Sequence, residues 1–357
     1  MKNILLALTC IAVLGFSSCS KNNGNNNTLT PVDEGQVIND FVDVVANPNY
    51  IEINAKAVLL QTAVTALIAT PTTANLVAAQ NAWKDTRKPW ESCEGFLFGP
   101  VEDKDYDPTM DSWPLNKQDV DGLLASGSPL SVGEFDKFDG TAKGFHAIEY
   151  IIFGVGGTKK ATDITAREKI FLASATESLV NTTLELRNSW ATSSGKYGDT
   201  VKTAGNGVLP FKKRKDLFKV IAGAMADICG EVGTSKMEEP YAQRDSSLDE
   251  SSYSHNSTTD FKNNISGILN VYTCTYNGVK GSASLSALVA SKNASLDAKI
   301  KSQYNAVLAQ FATITHSYEK AIYDQRDQIK NTQDAIAALE TTLTVDLNAF
   351  IEANIKD

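Results

Sequence analysis

Apolar side chains recur every three or four positions along nearly all of the chain beyond Pro31, the period of helices that bury one face. Val37, Ile38, Phe41, Val44 and Val45 make the first such face, and Asn47-Pro48-Asn49 predicts a break or kink after it. The face resumes over residues 51–68. Thr70-Pro71-Thr72 ends one helix and caps the next, because proline is tolerated in a first helical turn. Residues 74–98 read as a long helix carrying Trp83, Arg87, Trp90 and Glu94, whose spacings of four, three and four keep them on one side. A loop rich in Asp and Pro over 99–114, a short helix over 116–125, a helix around His146 and a long one over 167–190 complete the first half.

The small, polar, glycine-rich stretch 193–210 is the best candidate boundary. Beyond it a helix opens at 217–229 and is drawn on toward Tyr241. A second, over 258–276, is buried through Phe261, Ile265, Ile268, Leu269 and Tyr272. Two more follow, with Leu296, Ile300, Val307, Phe311 and Ile314 facing one way on the first, and Ile336, Leu339, Leu343, Leu347 and Phe350 on the last. No run shows sustained strand alternation between turn signals. The pattern predicts an all-α protein of two helical bundles, residues 31–194 and 195–357.

Composition narrows the class further. The 357 residues, 42% hydrophobic, can build a sizeable core. A net charge of −9 argues against a nucleic-acid partner, which would need a basic face, and suits a cationic ligand. At the N-terminus Lys2 precedes an apolar run over 4–16, too short to span a bilayer, and Phe16-Ser17-Ser18-Cys19 looks like a bacterial lipoprotein cleavage box. Residues 1–18 therefore read as a lipoprotein signal peptide, with Cys19 as the lipid-modified first residue of the mature chain. Residues 19–30, rich in Asn and Ser, read as a flexible tether to a membrane, on the periplasmic side of an outer membrane. Cys93, Cys229 and Cys274 remain, widely spaced and without a C-x-x-C motif, so at most one bridge can form; their apolar surroundings predict buried thiols.

The chemistry centres on Gly144-Phe145-His146-Ala147-Ile148-Glu149-Tyr150. On a helix, positions i and i+3 share a face, so His146 and Glu149 can direct an imidazole nitrogen and a carboxylate oxygen at one point. Only His255 and His316 accompany His146 in the sequence, so any metal site must draw on carboxylates. Glu94, Asp111 and Asp260 stand near apolar or aromatic residues and are the best candidates, although a helix cap or an ion pair with Arg87, Arg244 or a lysine would explain each as well. Glu94 and Glu149 each lie five residues before a helix-ending glycine, an echo that would set them at equivalent depths on two helices. Zinc peptidases use H-E-x-x-H, but Ala147 stands where their general base would be and Tyr150 where the second histidine would be.

Three motifs in order carry a family resemblance. Gly144, His146 and Glu149 match G-x-H-x-x-E; Arg87, Trp90, Glu94, Phe98, Gly99, Trp113, Pro114 and Leu115 match an upstream element. Ser251, Tyr253, Ser254, Asn256, Ser257, Asp260, Asn264, Gly267, Asn270, Val271 and Tyr272 match a downstream one. The chain thereby resembles the imelysin-like family, once described through an insulin-cleaving metallopeptidase. It departs from that pattern at His255, where an acidic residue is expected, and at Thr258, where a histidine often sits. The resemblance implies two similar four-helix bundles with a site at their interface, residence in the bacterial cell envelope, and a role in iron uptake. His146, Glu149, Glu94 and Arg87 from the first half would then face Ser251, Ser254, Asn256 and Asp260 from the second, around a metal ion or an iron-bearing ligand, with iron first and zinc or copper as alternatives. Two rival functions are a metal-dependent peptidase and a scaffold that docks an outer-membrane transporter.

Overall fold

The computed structural model describes residues 32–191 and 195–356; the signal-peptide, Cys19 and tether expectations lie outside the described residues. Eight helices of ten residues or more carry the architecture of the described residues. They are α1 (Glu34–Ala69), α2 (Thr73–Cys93), α3 (Gly144–Phe153), α4 (Ala166–Trp190), α5 (Arg214–Glu231), α6 (Ser257–Thr273), α7 (Ala294–Phe311) and α8 (Arg326–Thr341). The fold is all-α; its strand content among these residues is one two-residue hairpin, Thr275–Tyr276 against Val279–Lys280. That hairpin replaces the last turn expected of the 258–276 helix, which ends where Cys274 turns left-handed at φ 50°.

Helix α1 runs through Pro48 without breaking. A π turn over Phe41–Ala46 precedes the proline and loosens the turn in which its ring would meet a carbonyl and its missing N–H would be felt. The helix is long and apolar enough to cross a membrane, yet Val45, Tyr50, Ile53, Leu60, Val64 and Leu67 are buried in the protein core. It packs on α2 and α4, and α3 lies across α2 and α4. In the second half α5 and α7 both pack on α8.

The halves meet where α6 crosses the end of α2, and where α5 covers the 3-10 turn Glu94–Phe96. The crossing is unusually close. A methyl group on Gly267 would lie 2.3 Å from the Ser92 carbonyl oxygen, and one on Gly95 3.2 Å from the Gly267 backbone. Backbone thus rests on backbone, and neighbouring side chains from both halves are pressed into one buried volume. Cys93, Cys229 and Cys274 are buried free thiols.

Candidate functional site

Helix α2 supplies the centre of the site. Trp83, Arg87 and Trp90 lie on its buried face, and Arg87 is fully enclosed. Its guanidinium sits 5.0 Å from the centre of the Phe145 ring and 5.7 Å from that of Trp83. A cation so enclosed must be paired, since an unpaired buried charge costs several kcal/mol, of order. Arg87 pairs with Glu91 one turn on and with Asp111 from the loop after α2. From the second half it meets Glu250 at 3.1 Å and, through Nε, Asp260 at 3.7 Å. Trp90 Nε1 donates to the other Asp111 oxygen at 2.6 Å.

Helix α3 adds the motif residues. Gly144 opens it at φ +71°, with the Met110 carbonyl oxygen 2.1 Å from where a Cβ would stand, so only glycine fits this start. His146 Nδ1 contacts Glu149 Oε2 at 3.2 Å. Its Nε2 lies 3.1 Å from Asp111 Oδ1, an ion-pair distance but off the line a hydrogen bond requires. Burial opposes charge on this ring, but the Asp111 and Glu149 carboxylates prevail and push its pKa up to about 10. Asp111 is held the other way: burial favours its neutral form, yet Arg87 and His146 keep its carboxyl well below the usual range. The second oxygen of Glu149 accepts the Ser254 backbone N–H at 2.8 Å.

The second half brings a lysine. Lys236 ends a π turn over Val232–Lys236 and is buried, its Nζ 2.9 Å from Glu94, 3.0 Å from Glu250 and 3.5 Å from Glu91. Asn264 on α6 donates to Glu91 Oε2 at 2.6 Å and to Glu94 Oε2 at 2.7 Å. Ser251 and Asn256 both donate to Asp260, at 2.6 and 2.7 Å. They position that carboxylate rather than facing open space.

Six buried carboxylates (Glu91, Glu94, Asp111, Glu149, Glu250 and Asp260) therefore surround three buried basic groups, Arg87, His146 and Lys236. The imbalance shows in the acids: burial, and then the neighbouring carboxylates, push Glu250 up to about 7 and raise Asp260 and Glu94 strongly, against the pull of Arg87 and Lys236. Asp111, His146 and Glu250 bring one ligand atom each within 4.8 Å of one another, as do Glu91, Glu94 and Asp111. Glu250 keeps its buried Oε2 without a hydrogen-bond partner, like His146 Nε2. A cavity of about 220 Å³, lined in part by Glu94, Asp107, Asp111, Glu231, Lys236 and Glu250, reaches the cluster. An adjoining one of about 330 Å³ shares Glu94, Asp107 and Glu231 and adds Glu102, Asp105 and Asp227.

The expected residues are thus split. His146, Glu149 and Ser254 form one side, Arg87 and Asp260 the middle, and Glu94 the lysine side; Glu94 is no partner of His146. His255 turns to Glu319 and His316 to Asp324, both at the surface. Sequence reading missed Glu91, Lys236 and Glu250 as site residues. Lys236 did leave a signal: it falls on the stripe of Leu217, Ile221, Met225, Cys229 and Val232, where a core residue was due.

A family model described as imelysin (Peptidase_M75) matches residues 46–345. Iron-regulated protein A of Synechococcus elongatus is 27% identical over 348 residues, 96% of this chain and 92% of that protein. The crystal structure of a protein described as an iron-regulated protein A precursor, from Parabacteroides distasonis, superposes with a TM-score of 0.80 at 26% identity, covering 92% of this chain and 97% of that one. An imelysin-like protein from Psychrobacter shares the fold at a TM-score of 0.70 and 13% identity, over 89% and 97% of the two chains.

Proposed function

Because this chain belongs to the imelysin family, we propose that its buried histidine–carboxylate cluster holds a metal ion for iron acquisition in the bacterial cell envelope. The observation that carries this reading is the trio Asp111, His146 and Glu250, gathered within 4.8 Å from three separate parts of the chain. Within these residues Glu250 Oε2 is buried without a hydrogen bond, and His146 Nε2 meets Asp111 alone, at 3.1 Å. The donor set is mostly oxygen with one imidazole, which suits iron, with zinc and copper as weaker fits. Such an ion would be cargo, and it would offset the excess of carboxylates. Binding at His146 displaces the ring proton that Asp111 now favours. The relatives named for iron regulation support the choice of metal. A lipid anchor at Cys19 would keep the protein on the membrane, where an outer-membrane transporter could hand over or receive the cargo. The peptidase name of the family model gains no separate support, because Ala147 and Tyr150 stand in place of the H-E-x-x-H residues.

Calorimetric titration with ferric, ferrous, zinc and copper ions tests the reading. Wild type should bind, and His146→Ala should lose affinity by about tenfold or more. No binding, or equal binding by the variant, overturns it.

A further inference from the structure

A third cavity, of about 380 Å³, lies between the end of α5 and α8 and shares no lining residue with the two that adjoin the buried cluster. Small-molecule sites have volumes of about 300–1,000 Å³. The cavity opens where α5 gives way to the π turn Val232–Lys236, at Gly233, where a methyl group would lie 3.3 Å from Ile336 on α8. Cys229 and Ile336 give it a buried apolar floor. Burial, with Glu340 nearby, pushes the Cys229 thiol well up, so it stays protonated and acts as a small apolar surface.

Three carboxylates, Glu238, Asp334 and Glu340, line the cavity with one base, Lys330. Lys330 is paired with Asp334 one turn along α8. Arg326 is also engaged: its guanidinium lies 3.7 Å from the centre of the Tyr241 ring, and Nη1 donates to the Tyr241 and Ile322 carbonyls. Glu238 and Glu340 therefore have no basic group at ion-pair distance among the described residues. The second observation is Gln333, 7% exposed, whose amide is fixed in orientation. Its Nε2 donates to the Gly233 carbonyl at 3.0 Å and to Glu238 at 2.8 Å. That leaves Oε1 buried in the cavity wall with no donor. A buried acceptor without a donor is costly, and it marks a place for an N–H.

We infer that this cavity binds a small organic cation, a primary ammonium on a short aliphatic chain. The ammonium donates to Gln333 Oε1 and balances the charge of Glu238 and Glu340, while the chain rests on Cys229 and Ile336. A metal ion fits less well, because no three ligating groups of this cavity come within 4.8 Å of one another among the described residues. Three carboxylates against one lysine disfavour an anion. The inference is independent of the metal proposed for the buried cluster, although the same π turn carries Lys236 into it.

Titration with n-pentylammonium, followed by calorimetry and ligand-observed NMR, tests this. The probes n-pentanol and pentanoate keep the chain and change the head group. Wild type should bind n-pentylammonium saturably, and more tightly than either by about tenfold or more. Gln333→Leu and Glu340→Gln should each weaken it several-fold. Ala337→Trp, at an exposed lining position, should abolish it by filling the cavity. No binding by wild type, equal binding of n-pentanol, or full binding by Ala337→Trp overturns the site. Should Gln333→Leu fail to fold, Ala337→Trp and Glu340→Gln decide. His146→Ala should bind n-pentylammonium as wild type does; a loss there moves the amine to the buried cluster and overturns the assignment. Metal binding lost in His146→Ala with amine binding intact separates the two sites.

Discussion

The two sides of the buried cluster are built differently. On the histidine side, His146 and Glu149 come from one helical turn and the far half anchors Glu149 through a main-chain group, the Ser254 N–H, while Asp111 and Glu250 reach the ring from elsewhere in the chain. On the lysine side nearly every contact joins side chains distant in sequence: Lys236 to Glu91 and Glu94, Asn264 to both. Arg87 spans the two, touching Asp111 toward the histidine and Glu91 toward the lysine. The contrast teaches that a local motif can be recognised without its surroundings, whereas a site made of long-range side-chain pairs is defined only by the fold that assembles it.

Breaking the bridge between the sides should have the largest effect. Arg87→Met strands Asp111, Glu91, Glu250 and Asp260 without their shared cation, so denaturant unfolding should show a loss of about 3–5 kcal/mol. An equally stable variant would mean that the carboxylates take up protons at little cost. Next comes Asn264→Ala, which removes the donors to Glu91 and Glu94 while leaving those groups buried. Its expected cost is about 1–3 kcal/mol in the same measurement. The smallest effect belongs to Ser254→Ala. The N–H that holds Glu149 is retained, and only a 3.3 Å contact of the hydroxyl with the Ser251 carbonyl is lost. A change under about 1 kcal/mol is expected; a cost equal to that of Asn264→Ala would erase the distinction between a main-chain and a side-chain anchor.

The same distinction explains what could be read from the sequence. Helical period identified the all-α class and the buried faces, because each face is a local pattern. His146 with Glu149, and Arg87 with its tryptophans, were visible through spacing within one helix. Asp260 stands out as a carboxylate near apolar residues, Ser251 and Asn256 enter through the family resemblance, and the structure places those two as its hydrogen-bond donors. Glu94 stands near apolar residues in the sequence and is buried in the structure, but its echo with Glu149 suggests a partnership. Instead the 3-10 turn after α2 delivers it to Lys236. Glu250 sat in a polar stretch that reads as surface, since no local rule distinguishes a carboxylate facing water from one facing a buried guanidinium. The kink expected at Pro48 was resolved upstream by the π turn, an insertion that leaves no mark in periodicity.

The bare crossing at Gly267 and Ser92 sets a final property of the molecule. Jaws lined with side chains can adjust by changing rotamers, but main chain resting on main chain has no such slack. The gap between the carboxylates of α2 and the groups brought by α6 is therefore gauged by the thickness of two peptide backbones. The reach of Asn264 to Glu91 and Glu94 is fixed by that same contact, and a longer side chain at Gly267 would pull the three groups apart.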